Sequence, residues 1–372
     1  LLSPLLKKGD PRDPANYRYL HLRSDLARLY EAVIYLKIEA HMDEKTHEMQ
    51  QGGRKEGDTI EHLMVIMSAV NECEQKKEGI IATLVDCIKM FDKVHLSDTQ
   101  SNLLLEGGDP KAIKILNKLQ YNNNIRIKGS KNTAKIINGE GQGSVSGARR
   151  ITSGQTECTV RHERKIPKAL VLKHREEELP GNGFVDDEFI MSGTVEAAKV
   201  QNEVYTDVLN ELAMSAHPQK SCQILLGAKC WIKKTAEKLT ENPSILQNNK
   251  LRISTKDKYL GLILVQGTVK DIIDENIKSK CQKMLVAAME IRQLLSQPAI
   301  KRIGVVQTQK TMVTAQIIPI ATYSTESWFK MTASQWKTLE LGFKKALEIV
   351  LSLPSSTVHE SMLHELDTFH LR

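Results

Sequence analysis

Apolar residues recur at three- and four-residue spacing over residues 25–42, 59–70, 194–212 and 269–295, and this period predicts amphipathic helices. In the third stretch the stripe is Ala197, Val200, Val204, Val208 and Leu212. In the fourth it is Ile273, Ile277, Cys281, Leu285, Ala288 and Leu295. Both stripes are read as scaffold, packed helix to helix. Other apolar runs are too short for helices. Gly79-Ile80-Ile81-Ala82-Thr83-Leu84-Val85 is rich in β-branched residues and has the length of a buried strand. Gly183-Phe184-Val185 and Phe189-Ile190 flank a polar tip and read as the arms of a hairpin. Strands with helices behind them predict an α+β fold.

The polar positions at the ends of these strands carry the candidate chemistry. The first run ends on Asp86, and the hairpin tip is Asp186-Asp187, about a hundred residues downstream. A bare Asp-Asp pair is by itself most often a solvated turn; the third acid changes its reading. Strand alternation would aim at least one tip carboxylate off the end of a buried sheet into a cleft. Soon after Asp86 comes Met90-Phe91-Asp92. Two divalent ions roughly 3.5–4 Å apart need shared anionic oxygens from neighbouring strands. Asp86, Asp186 and Asp187 are the candidate ligands, as in the palm of a two-metal polymerase.

From here the chain resembles the reverse transcriptases of non-LTR retrotransposons, nearly end to end and in order. Lys7-Lys8-Gly9-Asp10-Pro11 with Asn16-Tyr17-Arg18 is similar to the family's fingers entry, and Gln50-Gln51-Gly52-Gly53-Arg54 to its Gln-x-Gly-Phe-Arg segment. Asp86 to Asp92 matches the first palm motif, and Gly139-Glu140-Gly141-Gln142-Gly143 the Gly-x-x-Gln-Gly motif. Phe184 to Asp187 matches the catalytic hairpin, Pro218-Gln219-Lys220-Ser221 the palm motif that follows, and Tyr259-Leu260-Gly261 the primer grip. The tail, with Glu326-Ser327-Trp328 and Leu353-Pro354-Ser355-Ser356-Thr357, resembles the family's thumb end. The resemblance implies a right-hand polymerase: fingers over 1–75, a palm with an antiparallel sheet over 76–265 carrying an inserted basic segment at 146–180, and a helical thumb over 266–372. It implies RNA-directed DNA synthesis, with an RNA template, a DNA primer, dNTP and two Mg2+ ions, for which Mn2+ can substitute.

Each site residue also has an ordinary reading. Phe91 would be core, and in a polymerase its face blocks the 2′-hydroxyl of an incoming ribonucleotide. Lys220 would be a solvated turn lysine; the resemblance makes it the proton donor to pyrophosphate, a role for a movable ammonium. Arg18 and Arg54 would be surface charge, but guanidinium forks suit triphosphate and template phosphates. Gln142 and Gly143 fall to substrate binding and Tyr259, Leu260 and Gly261 to the primer grip by resemblance. Gly139-x-Gly141-x-Gly143 could cradle a phosphate in a nucleotide-binding turn, but no strand-turn-helix context and no Gly-Lys-Ser/Thr sequence accompanies it.

Composition adds little to this and contradicts none of it. Fifty-two basic against forty-five acidic residues give a net charge of +7, which favours a polyanion where it clusters. Arg149, Arg150, Arg161, Arg164, Lys165, Lys168, Lys173 and Arg175 fall in one short region, opposed by Glu157 and Glu163. The 372 residues, 41% apolar, can bury a large core in two or three subdomains. Six cysteines without a Cys-x-x-Cys pair argue against zinc and against a disulfide scaffold and suit an intracellular compartment, nucleus or cytoplasm. No run is long enough to span a bilayer. The start on Leu1, inside the fingers motif, reads as a fragment or open reading frame, with the family's endonuclease and zinc-knuckle segments outside it.

The chain departs from the family at Tyr19 (proline expected), Arg23 (apolar expected) and Gly53 (phenylalanine expected). After Val145 the family runs into an apolar helix under the catalytic sheet, but here Ser146-Gly147-Ala148-Arg149-Arg150 opens a polar, basic stretch. Such a helix is expected not to be buried there, since unpaired charge would cost on the order of several kcal/mol. Two functions stay open: an RNA-directed DNA polymerase, or a catalytically decayed retrotransposon remnant that at most binds nucleic acid.

Overall fold

The computed structural model describes residues 1–7, 9–42, 50, 52, 58–88, 90–93, 96–120, 124–135, 143–175, 177–179, 181–185, 187–297 and 305–366. The fold is mixed α+β. Its packing divides into two compact units, one of Leu1–Thr59, Ile80–Gln223 and Thr235–Ile253, the other of Ile60–Gly79, Ile224–Lys234 and Ser254–Arg372.

A five-stranded sheet runs in the order Arg252–Ile253, Cys222–Gly227, Gly79–Asp86, Asp187–Ser192, Gly181–Phe184, most of it in the first unit. Gly79–Asp86 is buried along its length up to Val85. A strand covered on both faces needs an unbroken apolar run, which is why it shows no alternation. Its one internal hydroxyl, on Thr83, accepts from Gln223 Nε2 at 3.1 Å. Gly79–Asp86 pairs antiparallel with Asp187–Ser192, from Ile81 opposite Ser192 to Asp86 opposite Asp187. The sheet is not antiparallel throughout: Cys222 and Gln223 pair parallel with Arg252 and Ile253. The helix Lys229–Glu241 lies between those strands and supplies the long crossover that a parallel pair requires.

Two helices back the acid-bearing strands. Val195–Glu211 starts at Thr194, whose hydroxyl caps the Ala197 N–H at 3.1 Å. Its buried face runs through Ala198, Gln201, Asn202, Tyr205, Val208 and Leu209, while Val200 and Val204 of the expected stripe are half-buried. The face is turned because Gln201 finds partners inside: it accepts from Ser192 Oγ at 2.9 Å and donates to the Leu170 carbonyl at 3.1 Å.

The second backing helix, Gly147–Lys165, overturns the expectation drawn from its polarity. Arg149, Arg150, Thr152, Ser153, Gln155, Thr159 and His162 are all buried. Burial is made less costly because several of these polar groups are matched from other elements, although Ser153 Oγ finds no hydrogen-bond partner among the described residues. Arg149 meets Glu106 at 3.5 Å, Arg150 Nη2 donates to Asn117 Oδ1 at 2.6 Å, and His162 Nε2 lies 3.0 Å from the Gln201 carbonyl. The threonines return their hydroxyls to backbone carbonyls, Thr156 to Thr152 and Thr159 to Gln155. A paired buried polar group avoids the desolvation cost that an orphan would carry. The basic run is consequently not one positive field, since Arg161 pairs with Glu157 and Glu211 and Lys165 with Glu211.

The second unit packs the long helix Val269–Leu295, opened by a Thr268/Asp271 capping box, against Ala333–Leu351. Gly342 allows the close approach: a side chain there would run into Cys281. Lys280 sits in the buried stripe, donating to the carbonyls of Ile320 at 2.8 Å and Tyr323 at 2.6 Å. Burial pulls its pKa down to about 8. Among the described residues no helix is long and apolar enough to cross a membrane.

Burial also lowers two histidines, His62 to about 3 and His162 to about 4. Both pKa values lie below the ordinary histidine value of the unfolded chain, so the unfolded state takes up protons first as pH falls. Stability is therefore full above about pH 6.5 and is expected to drop by roughly 2 kcal/mol per histidine between pH 6.5 and 5. Thermal melting across that range checks this, with His62→Asn flattening part of the slope. A melting temperature that does not move over it contradicts the account.

Candidate active site

Asp86 is the last residue of the central strand and Asp187 the first of its neighbour, and they stand directly opposite each other. Opposed residues of an antiparallel pair share a face, with Cβ atoms about 4.5–5.5 Å apart. Two carboxylates thus meet at one end of a sheet whose interior is apolar. The sheet end is held by residues 215–221, which wrap it. His217 N–H donates to the Asp86 carbonyl at 2.7 Å, Ile88 N–H to the Ser215 carbonyl at 2.7 Å, and Asp86 N–H to Ser221 Oγ at 3.2 Å. The turn that follows His217 places Lys220 Nζ at 2.9 and 3.2 Å from the two Asp86 carboxylate oxygens. Lys220 is the more exposed partner, 56% against 35%, so the contact is a solvated one.

Below the acids lies a cluster of Val85, Cys87, Met90, Ile151, Ile190, Tyr205, Leu209, Ala216, Leu246 and Leu251. Phe91 and Val185 pack against it, both half-buried. Strand alternation sends Glu188, next to Asp187, to the opposite face, where it is buried and accepts from Gln155 Nε2 at 2.6 Å. The same amide group donates to Tyr205 Oη at 3.0 Å. Burial raises the Glu188 pKa to about 8, against the pull of its hydrogen bonds from Gln155 and Thr159. Adjacent acids on one strand are thus placed in opposite environments, one at the sheet end and one in the interior, where burial favours the protonated form.

The donor set suits a hard divalent cation, which takes oxygen ligands and prefers carboxylates. Asp86 and Asp187 offer such oxygens from adjacent strands, and Asp86 already faces a positive charge on Lys220. Among the described residues no group of three His, Cys, Asp or Glu side chains is gathered for a metal. Asp186, the third expected ligand, lies outside the described residues, as do Arg54 and Gln142.

The other site residues fall in separate places. Arg18 is exposed on the strand Tyr17–His21, opposite Leu5. Gly143, at φ +95°, approaches the same strand: a Cβ on it would lie 3.4 Å from the His21 carbonyl. Tyr259, Leu260 and Gly261 belong to the second unit, in the hairpin Lys256–Tyr259/Leu262–Val265. Tyr259 is buried with its hydroxyl 3.0 Å from His62 Nε2. Gly261, at φ +88°, lies under the Tyr323 ring, whose hydroxyl donates to the Leu260 carbonyl at 2.7 Å.

Three residues with structural work were given no role from sequence. Ser221 receives the Asp86 N–H. Glu31 accepts from Ser144 Oγ at 2.6 Å, from Ser146 Oγ at 2.7 Å and from Arg23 at 2.9 Å, so Arg23, unexpected by family pattern, has a partner. Gln50 is fully buried against the hairpin, forming a bridge with Gly183. Gln50 and Gly52 were legible only as members of the segment similar to the family's Gln-x-Gly-Phe-Arg pattern.

No family model matches the chain, and no curated protein matches it. Solved structures similar to it are telomerases. Telomerase from Candida albicans, in complex with a TWJ fragment of telomeric RNA, is 10% identical over 91% of this chain and 56% of that one, with a TM-score of 0.46. Telomerase from Candida tropicalis with the same kind of fragment is 12% identical over 96% and 63%, at 0.44. An apo Candida tropicalis telomerase truncated from its C-terminal domain is 11% identical over 68% and 51%, at 0.45. The chain thus spans between about half and under two thirds of these proteins.

The close packing at the hairpin has a measurable consequence. A Cβ at Gly183 would stand 2.7 Å from Gln50 Nε2 and 3.0 Å from Glu188 Oε2, both buried. Gly183→Ala is expected to cost about 1–3 kcal/mol of stability, the usual range for overpacking. Denaturant unfolding measures it, and an unchanged midpoint would show that the hairpin is not packed as described.

Proposed function

We propose that this chain is an RNA-directed DNA polymerase of the non-LTR retrotransposon type, joining a dNTP to a primer 3′-hydroxyl on an RNA template. The observation that carries the proposal is the pairing of Asp86 with Asp187 across two adjacent strands at an open sheet end. With Asp186 they would hold the metal. Two bound Mg2+ ions, or Mn2+ in their place, would neutralise the charge of the triphosphate and lower the pKa of the primer hydroxyl.

The remaining roles are those that the resemblance to the non-LTR reverse transcriptases implies. Asp86 and Asp187 keep their carboxylates on one face of the sheet. The Lys220 ammonium rests on Asp86 at the end of a flexible stem, so it can reach a leaving oxygen and give it a proton from Nζ. Arg18 and Arg54 would take phosphates, Gln142 and Gly143 the incoming nucleotide, and Tyr259, Leu260 and Gly261 the primer. In this proposal residues 1–75 act as fingers, 76–265 as palm and 266–372 as thumb, and the site of action is the nucleus or cytoplasm.

Primer extension on an RNA template with Mg2+ tests the reading. Wild type is expected to extend, and Asp86→Asn, Asp186→Asn and Asp187→Asn each to lose roughly a hundredfold or more in rate. Equal extension by wild type and variants, or none by either while template binding persists, would leave a nucleic-acid-binding remnant in place of a polymerase.

Phe91, half-buried five residues after Asp86, is the proposed sugar gate. Phe91→Val is expected to raise ribonucleotide use relative to deoxynucleotide use by roughly ten- to two-hundredfold, the range for one clash relieved in a packed pocket. An unchanged ratio with a lowered melting temperature would return Phe91 to the core alone.

A further inference from the structure

The tip between the strands Gly181–Phe184 and Asp187–Ser192 is closed by the pair Phe184–Asp187. Val185 follows Phe184 at φ +58°, a left-handed conformation that a β-branched residue adopts only when its surroundings enforce it. The enforcement is visible. Gln50 Oε1 accepts the Val185 N–H at 3.1 Å and the Gly52 N–H at 3.0 Å. Gln50 is fully buried and bridges Gly183 in parallel fashion. Gly52 sits so close to the tip that a Cβ on it would come 2.6 Å from Val185 Cγ2 and 2.9 Å from the Phe184 carbonyl carbon. Gly52 is itself anchored, its carbonyl accepting from Thr152 Oγ1 at 2.9 Å.

We propose that Gln50 is a positioning residue for the hairpin that carries Asp187: its side-chain oxygen fixes the backbone of Val185, and with it the strand end from which Asp187 is presented opposite Asp86. One carboxamide oxygen takes the N–H of Gly52, two residues along, and the N–H of Val185, 135 residues along, and so ties Gly52 to the hairpin tip. A hydrophobic side chain of the same length would fill the space and leave both donors buried without an acceptor, and the hairpin would relax from the strained φ. Any consequence for nucleotide transfer rests on the polymerase reading above; the clamp itself does not.

The test uses the full chain and two readouts. Backbone hydrogen exchange is followed at Val185, with Phe189 and Ile190 in the adjoining ladder as internal references. In wild type the Val185 amide is expected to exchange as slowly as a ladder amide, and in Gln50→Met at least roughly tenfold faster with Phe189 and Ile190 unchanged. Gln50→Glu, which keeps an oxygen acceptor at the same reach, is expected to restore protection. In primer extension Gln50→Met is expected to lower kcat by roughly a hundredfold with the KM for dNTP held within about twofold, as for a misplaced catalytic group. Val185 exchanging at an open-turn rate in wild type overturns the clamp without any variant. Protection lost in Gln50→Met with kcat unchanged overturns the positioning role. If wild type extends no primer, the polymerase reading fails and the exchange at Val185 alone decides whether Gln50 holds the tip.

Discussion

Everything at the site depends on the register between Gly79–Asp86 and Asp187–Ser192. Side chains alternate with period two along a strand, so a slip of one residue would move Asp187 to the other face and bring Glu188 beside Asp86. The register is fixed by what lies beneath. Ile190 and Val85 enter the apolar cluster, and Glu188 fits a polar slot made by Gln155 and Tyr205. A slipped Glu188 would lose its only fitted environment, and a slipped Asp187 would enter an apolar interior as a charge. The interior therefore decides which acid faces out.

The same economy runs through the surrounding segments. The Asp86 backbone is held by residues 215–221, and the Val185 backbone by Gln50. In each case a side chain or turn satisfies a backbone group at a sheet end where the ladder stops, the place at which strands otherwise fray. Rigid strand ends suit chemistry that works by placing charges rather than by moving them. Lys220 is the exception: it is exposed, and its bond to Asp86 can break without disturbing the fold.

The sequence revealed elements whose burial is simple and concealed those whose burial is negotiated. Gly79–Asp86 was legible because a strand covered on both faces is an unbroken apolar run, and the long helices at 25–42 and 269–295 because apolar period alone defines them. The face of Val195–Glu211 was misjudged because Gln201 and Tyr205, not Val200 and Val204, point inward, each toward a polar partner distant in sequence. Gly147–Lys165 was expected outside the core since its own composition is polar; what buries it is Glu106, Asn117 and Glu188, none of which its sequence announces. The parallel pair at the sheet edge escaped notice because Arg252–Ile253 is only two residues long. Asp86 and Asp187 could be found from strand-end acids alone. Gln50 was visible only as a motif member, because its contact with the hairpin is a hydrogen bond to a backbone group 135 residues away.

The central claim is that Asp86 and Asp187 share one face and form one cation site. A crystal structure of the chain grown with Mn2+, read by anomalous scattering, tests it most directly. The expected result is a peak bonded to oxygens of both Asp86 and Asp187, with Lys220 displaced from Asp86. A structure in which the two carboxylates lie on opposite faces of the sheet, or in which the ion binds elsewhere and leaves both acids untouched, would contradict it.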